Sequence, residues 1–188
     1  VNFAYTGGEP LWSELLNCRI AGGDRVTLTG GNGSGKTTLL RLILGELEPT
    51  EGKLIRAAFS HIYVDQEYSV IDNSLTVYQQ LQKYNKRNLP EHMLKTELAR
   101  FLFPPAAWDK LCGRLSGGEK MKLILCCLIV SNDMPDMFVL DEPTNNLDIR
   151  SMDILTQAVA GYKGTVLVIS HDRQFLEDIG VTQNIKLQ

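Results

Sequence analysis

Gly30-Gly31-Asn32-Gly33-Ser34-Gly35-Lys36-Thr37 is the stretch that decides the fold class of this chain. It matches G-x-x-x-x-G-K-[ST], a spacing with a mechanical meaning. Glycines let successive backbone N–H groups turn inward around phosphate oxygens. Lys36 then reaches the β- and γ-phosphates, and Thr37 places a hydroxyl on Mg²⁺. The flanks agree with this reading. Arg25–Thr29 is a short β-branched strand leading into the loop. Lys36–Gly45 reads as a helix, apolar at Leu39, Leu40, Leu42, Ile43 and Leu44. That is nearly all round, as in a buried helix, and Gly45 suits its C-terminal stop. The helix points its positive end at the same anion. A plain glycine-rich turn would not carry this strand-loop-helix context.

Working outward, Met137–Leu140 and Thr165–Ile169 are continuous apolar runs, the pattern of central strands in a parallel sheet. The first ends in Asp141-Glu142. An Asp at the C-terminal end of a buried parallel strand sits where ligands bind in open α/β folds. Asp141 is the candidate Mg²⁺ ligand. Glu142 is the candidate general base, or the residue that orients an attacking water. Two solvated strand-end carboxylates would be the bland alternative if the phosphate loop were absent. Ile149–Ala160 reads as a helix between the two strands.

The remaining organisation fits one α/β domain of 188 residues with an inserted helical lobe. Val1–Tyr5 and Arg19–Ile20 look like edge strands, and Lys53–Ile55 and His61–Val64 like two further strands. Between Tyr68 and Arg114 strand signals vanish, and helical stretches follow at Leu75–Tyr84 and Glu91–Leu102 before the Pro104-Pro105 break. The expected division is a core of residues 1–66 and 132–188 around a helical subdomain of residues 67–131. A net charge of −3 gives no push toward nucleic acid or anionic membranes. Lys83, Lys86 and Arg87 form a small basic cluster that could touch RNA phosphates, with a solvated helix face the favoured reading. The longest apolar run, Leu123–Val130, is too short to span a bilayer. The four cysteines lack metal-ligand spacing and read as reduced thiols of a cytoplasmic protein. The chain opens at Val1, inside a strand-like stretch, so a piece of a longer protein is expected.

Leu115-Ser116-Gly117-Gly118-Glu119 says which kind of nucleotide protein this is. Ser116 fits a helix N-cap with Glu119 three residues on, a capping box. The run resembles the signature motif of ATP-binding-cassette (ABC) ATPases, and the order of all the motifs resembles an ABC nucleotide-binding domain. The resemblance implies a P-loop fold of ABC type, with a mostly parallel central sheet, an antiparallel β edge and the inserted helical subdomain. It implies ATP and Mg²⁺ as cofactors. Nucleotide contacts fall to Tyr5, Gly30, Asn32, Gly33, Ser34, Gly35, Lys36, Thr37, Thr38, Ser116, Gly117, Gly118 and Asp148. Thr37, Gln66 and Asp141 hold the metal, and Glu142, His171 and Gln66 carry the catalysis. Tyr5 takes the place of the adenine-stacking aromatic, with Phe3 as competitor. His171 resembles the switch histidine, and Asp148 matches the loop that touches the opposing domain.

Within the family, Leu-Ser-Gly-Gly-Glu-Lys-Met at 115–121, Asp-Glu-Pro-Thr-Asn-Asn-Leu-Asp at 141–148 and Ser-His-Asp-Arg-Gln-Phe-Leu at 170–176 are similar to the ABC-F group. That group carries two cassettes in one chain, without transmembrane domains, and acts on the ribosome in translation or antibiotic resistance. The resemblance therefore implies one half of a tandem, the C-terminal half being favoured. Its partners would be a second nucleotide-binding domain, either the tandem twin or another copy, and the ribosome with its rRNA. Asn146 departs from the pattern, which has His there, and the inter-domain linker is absent from these residues. An ABC transporter ATPase bound to a transmembrane subunit is the competing reading, with no direct membrane insertion of this chain. A nucleotide-binding regulatory module without turnover is a third.

Overall fold

Five parallel strands form the sheet, in the order β2-β3-β4-β1-β5. The structure is a computed structural model describing residues 1–145 and 147–188; Asn146 lies outside the described residues. The strands are β1 (Arg25–Thr29), β2 (His61–Val64), β3 (Met137–Asp141), β4 (Thr165–Ile169) and β5 (Gln183–Lys186). The helices are α1 (Lys36–Leu44), α2 (Val77–Lys83), α3 (Glu91–Arg100), α4 (Gly117–Ser131), α5 (Ile149–Gly161) and α6 (Arg173–Asp178).

Both faces of the sheet are covered, which is why β3 is apolar from Met137 to Leu140 and β4 from Val166 to Ile169. Met137 and Val139 pack with Leu39, Leu40 and Leu42 of α1 on one face. Phe138 and Leu140 turn the other way, toward α4 and α5, where Leu123, Leu155 and Val159 are buried. The two-residue period of the strand thus splits one hydrophobic run between two cores. Arg25 ties the sheet to α5, donating to the carbonyls of Val159 (2.8 Å), Ala160 (3.1 Å) and Tyr162 (2.7 Å) at the helix end. Those are the acceptors a helix leaves unpaired.

In the inserted lobe, α2 opens on a capping box between Thr76 and Gln79. Its Leu81 packs with Leu94 and Leu98 of α3 and Met121 of α4, all fully buried. Helix α4 belongs to this cluster and to the core beneath β3 and β4, so the lobe is anchored through the signature helix. Lys86 pairs with Asp133 at 2.7 Å, which ties one cation of the basic cluster to the protein surface. Cys112, Cys126 and Cys127 are buried and unbridged; burial pushes the Cys112 thiol up to about 11 and Cys126 to about 12. Among the described residues no helix is long and apolar enough to cross a membrane.

The antiparallel edge is where the structure departs from the sequence reading. Val1–Tyr5, Arg19–Ile20 and Lys53–Ile55 are not strands; what remains is a single antiparallel bridge between Asn2 and Glu51. The reason is local. The Asn2 side chain accepts from the N–H groups of Phe3 (2.9 Å) and Trp12 (3.2 Å) and donates to the Trp12 carbonyl (2.7 Å). A side chain has taken backbone groups that a ladder would otherwise use.

Candidate functional site

The phosphate loop leaves β1 and is shaped by what its glycines leave out. A Cβ on Gly30 would lie 2.4 Å from Ser34 Oγ and 2.8 Å from the Leu187 carbonyl oxygen. Gly33 and Gly35 have φ of 79° and 87°, the left-handed region. Gly35 is the N-cap of α1 and lies under the Trp12 ring, whose indole Nε1 donates to the Ser34 carbonyl at 2.9 Å. The loop closes on itself, with the Ser34 N–H donating to the Gly31 carbonyl at 3.2 Å. Ser34 Oγ is buried there without a hydrogen-bond partner, and a buried orphan of this kind suits a ligand oxygen. Lys36 Nζ donates to the carbonyls of Gly30 (2.9 Å) and Gly31 (2.8 Å), which holds the ammonium at the loop. Thr37 is exposed one residue on, and Thr38 is buried.

Of the two candidate aromatics, Phe3 is in the core and Tyr5 is 51% exposed. Tyr5 stands edge-on to Phe3 at 5.0 Å, and its hydroxyl meets Thr38 Oγ1 at 2.9 Å. Its ring is thus fixed beside the first turn of α1, where a base attached to loop-bound phosphates could reach it.

At the end of β3, Asp141 accepts from the Tyr63 hydroxyl at 3.0 Å. Burial raises its carboxyl above the usual range, against the opposing pull of Tyr63, the Gln66 amide and the Lys36 charge. The sheet therefore brings Lys36, Gln66 and Asp141 together from β1, β2 and β3. A raised carboxyl contributes stability below its unfolded pKa that is lost as pH rises through the folded one. Asp141→Asn is accordingly expected to raise the melting temperature at pH 8, with the gain shrinking as the pH falls through the carboxylate range. Thermal melts at several pH values check this; a gain that grows toward acid would contradict it.

Glu142 follows with φ of 50°, a left-handed conformation costing about 1–3 kcal/mol in a non-glycine residue. It is held there by its N–H, which donates to the Ile169 carbonyl at 2.8 Å, and by its own carbonyl, which accepts from Asn145 N–H at 3.2 Å. The turn aims the carboxylate at His171, whose Nε2 lies 3.3 Å from Glu142 Oε1. The histidine is carried by the turn after β4. There Ser170 is buried and accepts from the Asp172 N–H at 3.1 Å, while Asp172 caps α6. The His171 side chain is 75% exposed and the Glu142 side chain only 13%.

A cleft of about 420 Å³ opens beside these groups. Gln66, Asp141 and Glu142 line one side, and Leu115, Gly117 and Lys120 of the signature segment line the other. Ser116 caps α4 as its sequence suggests: its Oγ accepts from Glu119 N–H at 3.2 Å, and Glu119 Oε2 accepts from Ser116 N–H at 2.8 Å. Gly118 packs where a Cβ would meet Ser151 Oγ at 2.8 Å and Asp148 Oδ2 at 3.4 Å. Asp148 itself caps α5, accepting from Ser151 N–H (2.9 Å) and Oγ (2.7 Å). Its carboxylate is thus turned onto its own helix, beside the signature glycines. Asn32 and Gly31 lie exposed on the loop.

Among the described residues no three His, Cys, Asp or Glu side chains gather as a metal cluster. A hydroxyl, an amide and one carboxylate from Thr37, Gln66 and Asp141 are nonetheless an all-oxygen donor set of the kind Mg²⁺ uses when substrate phosphates complete its shell. Tyr63 and Trp12, which position Asp141 and the loop, were not singled out from the sequence. A Trp buried near the loop needs a partner for its N–H, and that need was the available signal. For Tyr63 there was none, because its partner is 78 residues away.

A parallel sheet with a glycine phosphate loop at one strand end, an acidic pair at the next but one, and a capped signature helix defines an ATP-binding cassette. The chain belongs to the ABC transporter family, whose sequence pattern matches residues 14–145. The Haemophilus influenzae ATP-binding protein Uup-like is 38% identical over 85% of this chain and 35% of its own length. The chain thus spans about a third of that relative. An archaeal ribosome recycling factor, solved in complex with the ribosomal stalk protein aP1, is 30% identical with a TM-score of 0.67, over 89% of this chain and 32% of that one. The ATP-binding cassette MJ0796, solved as a dimer bound to ADP and Pi, shares the fold at 21% identity and a TM-score of 0.75, over 100% of this chain and 92% of its own.

Proposed function

We propose that this chain is the Mg²⁺-dependent ATP-hydrolysing cassette of a tandem, ABC-F-type protein, acting in the cytoplasm on the ribosome. The observation that carries hydrolysis is the strained Glu142, with its carboxylate 3.3 Å from His171 and beside Asp141. Strain of this kind, held by surrounding contacts, gathers at working residues. Kinship with the Uup-like protein, and the likeness to a ribosome recycling factor, support the ribosomal half of the reading.

In this mechanism the backbone N–H groups of Gly31–Lys36 and the Lys36 ammonium bind the β- and γ-phosphates, and adenine stacks on Tyr5. Thr37, Gln66 and Asp141 would hold Mg²⁺, which would supply positive charge to the phosphate oxygens. Glu142 accepts the proton of a water whose oxygen attacks the γ-phosphorus, while the bond to the β-phosphate oxygen breaks. His171 donates a hydrogen bond to the γ-phosphate. The first-turn N–H groups of a helix have no internal partner. Those of Gly117 and Gly118, with the Ser116 hydroxyl, serve the nucleotide of a second cassette, and Asp148 lies at that junction. Closure excludes water and lets fixed donors act at full strength. Loss of the γ-phosphate then separates the pair.

The test is the full-length protein. The parent is expected to release phosphate from Mg-ATP, and Glu142→Gln is expected to sediment with ribosomes only when ATP is present. Sedimentation with an integral membrane protein instead would favour the transporter reading, and absence of phosphate release would favour a regulatory module.

A further inference from the structure

Asp141 is held by a hydroxyl that the mechanism above leaves out. Tyr63 lies opposite Val139 in the β2–β3 register, and Asp141 is two residues further along β3. Val139 and Asp141 therefore share a face of the sheet, and the Tyr63 ring spans the diagonal between the two strands. That ring packs against the core cluster that includes Leu39, Leu40 and Leu42 of α1. Its hydroxyl donates to Asp141 Oδ2 at 3.0 Å. Burial first, then the negative charge of Asp141, pushes the phenol above its usual range, so it stays protonated and remains a donor. A phenylalanine would fill the same space; what the hydroxyl adds is a fixed partner for one carboxylate oxygen.

That contact decides how the carboxylate can meet a cation. Bidentate binding turns both oxygens to the ion, and Tyr63 keeps Oδ2 on the β2 side. The Gln66 amide reaches the same carboxylate, but Gln66 is exposed on the loop after β2 and can give way to a cation. Tyr63 is embedded and cannot. Ca²⁺ gathers many oxygens in a flexible shell and often takes a carboxylate through both. Mg²⁺ demands an octahedron, keeps several waters and needs little from each carboxylate. We propose that Tyr63 is a specificity-determining residue for the metal that accompanies ATP, holding one oxygen of Asp141 so that the carboxylate favours Mg²⁺ over Ca²⁺. The inference rests on the reading of Asp141 as a metal ligand. Selectivity arises because Ca²⁺ gains its full shell only by breaking the phenol hydrogen bond, whereas Mg²⁺ leaves that bond in place.

The experiment measures binding of Mg-ATP, Ca-ATP and metal-free ATP by calorimetry, in the full-length protein carrying Glu142→Gln to prevent turnover. This parent is expected to bind Mg-ATP more tightly than Ca-ATP. Tyr63→Phe, added to it, keeps the ring and removes the donor. The ratio of the Ca-ATP to the Mg-ATP dissociation constant is then expected to fall roughly 2- to 10-fold, the range one hydrogen bond contributes. Affinity for metal-free ATP should not change. A Tyr63 that merely supports the fold would weaken all three complexes by one factor and leave the ratio where it was, and this outcome overturns the proposal. So does a ratio that rises, or a parent that binds the two metal complexes equally well. Should Tyr63→Phe fail to fold, Tyr63→Met repeats the comparison with a flexible apolar side chain that has no donor. A parent that binds ATP equally with and without metal sinks the metal-ligand reading and this inference together. Metal dependence with an unmoved ratio sinks the inference alone.

Discussion

Glu142→Gln should lower phosphate release by about 10²- to 10⁴-fold, the range a positioned base contributes, while ATP binding persists. The substitution keeps the size of the side chain and does not touch the backbone hydrogen bond from residue 142 to Ile169 that fixes the turn. It removes the proton acceptor and also a negative charge beside the triphosphate. Repulsion falls and turnover stops, so the ATP-loaded closed pair should accumulate. Single-turnover phosphate release and the sedimentation coefficient with ATP check both halves. Full turnover in the variant would move the base elsewhere, with the adjacent Asp141 the next carboxylate to test. His171→Ala is expected to cost less in the single chain, because its ring is largely exposed before any partner closes over it. A rate that rises with the square of protein concentration would identify a second copy as the partner.

What could be read from the sequence was whatever its local chemistry dictates. The Ser116–Glu119 capping box is complete within four residues, and α4 begins where it says. Glycines 30, 33 and 35 announce the loop because only they tolerate its close approaches and its left-handed turns. The buried runs of β3 and β4 allow one interpretation once a helix lies between them. The illegible parts depend on distant partners. β5 is polar at Gln183, Asn184 and Lys186 and exists because β1 pairs with it; α6 is a six-residue helix set by the Asp172 cap. The stretch at Val1–Tyr5 carries strand propensity that the Asn2 side chain overrides by taking backbone groups of Phe3 and Trp12. Within the site, residue types were legible and orientations were not. The φ of Glu142, the Tyr63 hydrogen bond to Asp141 and the Asp148 carboxylate folded onto Ser151 each follow from tertiary neighbours.

The phosphate loop makes the sharpest quantitative claim, because its glycines are not equivalent. Gly30→Ala should be the most damaging alanine substitution among them. Ser34 Oγ, 2.4 Å from the added carbon, can rotate away, but the Leu187 carbonyl at 2.8 Å cannot. Its residue is locked to β1 by the Leu187 N–H to Thr29 carbonyl bond of 2.8 Å. The loop itself must therefore shift, and overpacking of this kind costs about 1–3 kcal/mol. If that cost appears in binding, ATP affinity falls roughly 5- to 150-fold. Gly33→Ala meets no atom within 4 Å, so only its φ of 79° opposes it, and the smaller loss expected is about 1–2 kcal/mol. Gly31→Ala meets neither obstacle and should bind ATP almost as the parent does. Titration of the three variants with a fluorescent ATP analogue gives the order directly. An equal loss at all three positions would mean that the affinity does not come from the shape of this loop, and the phosphate cradle would have to be sought elsewhere in the chain.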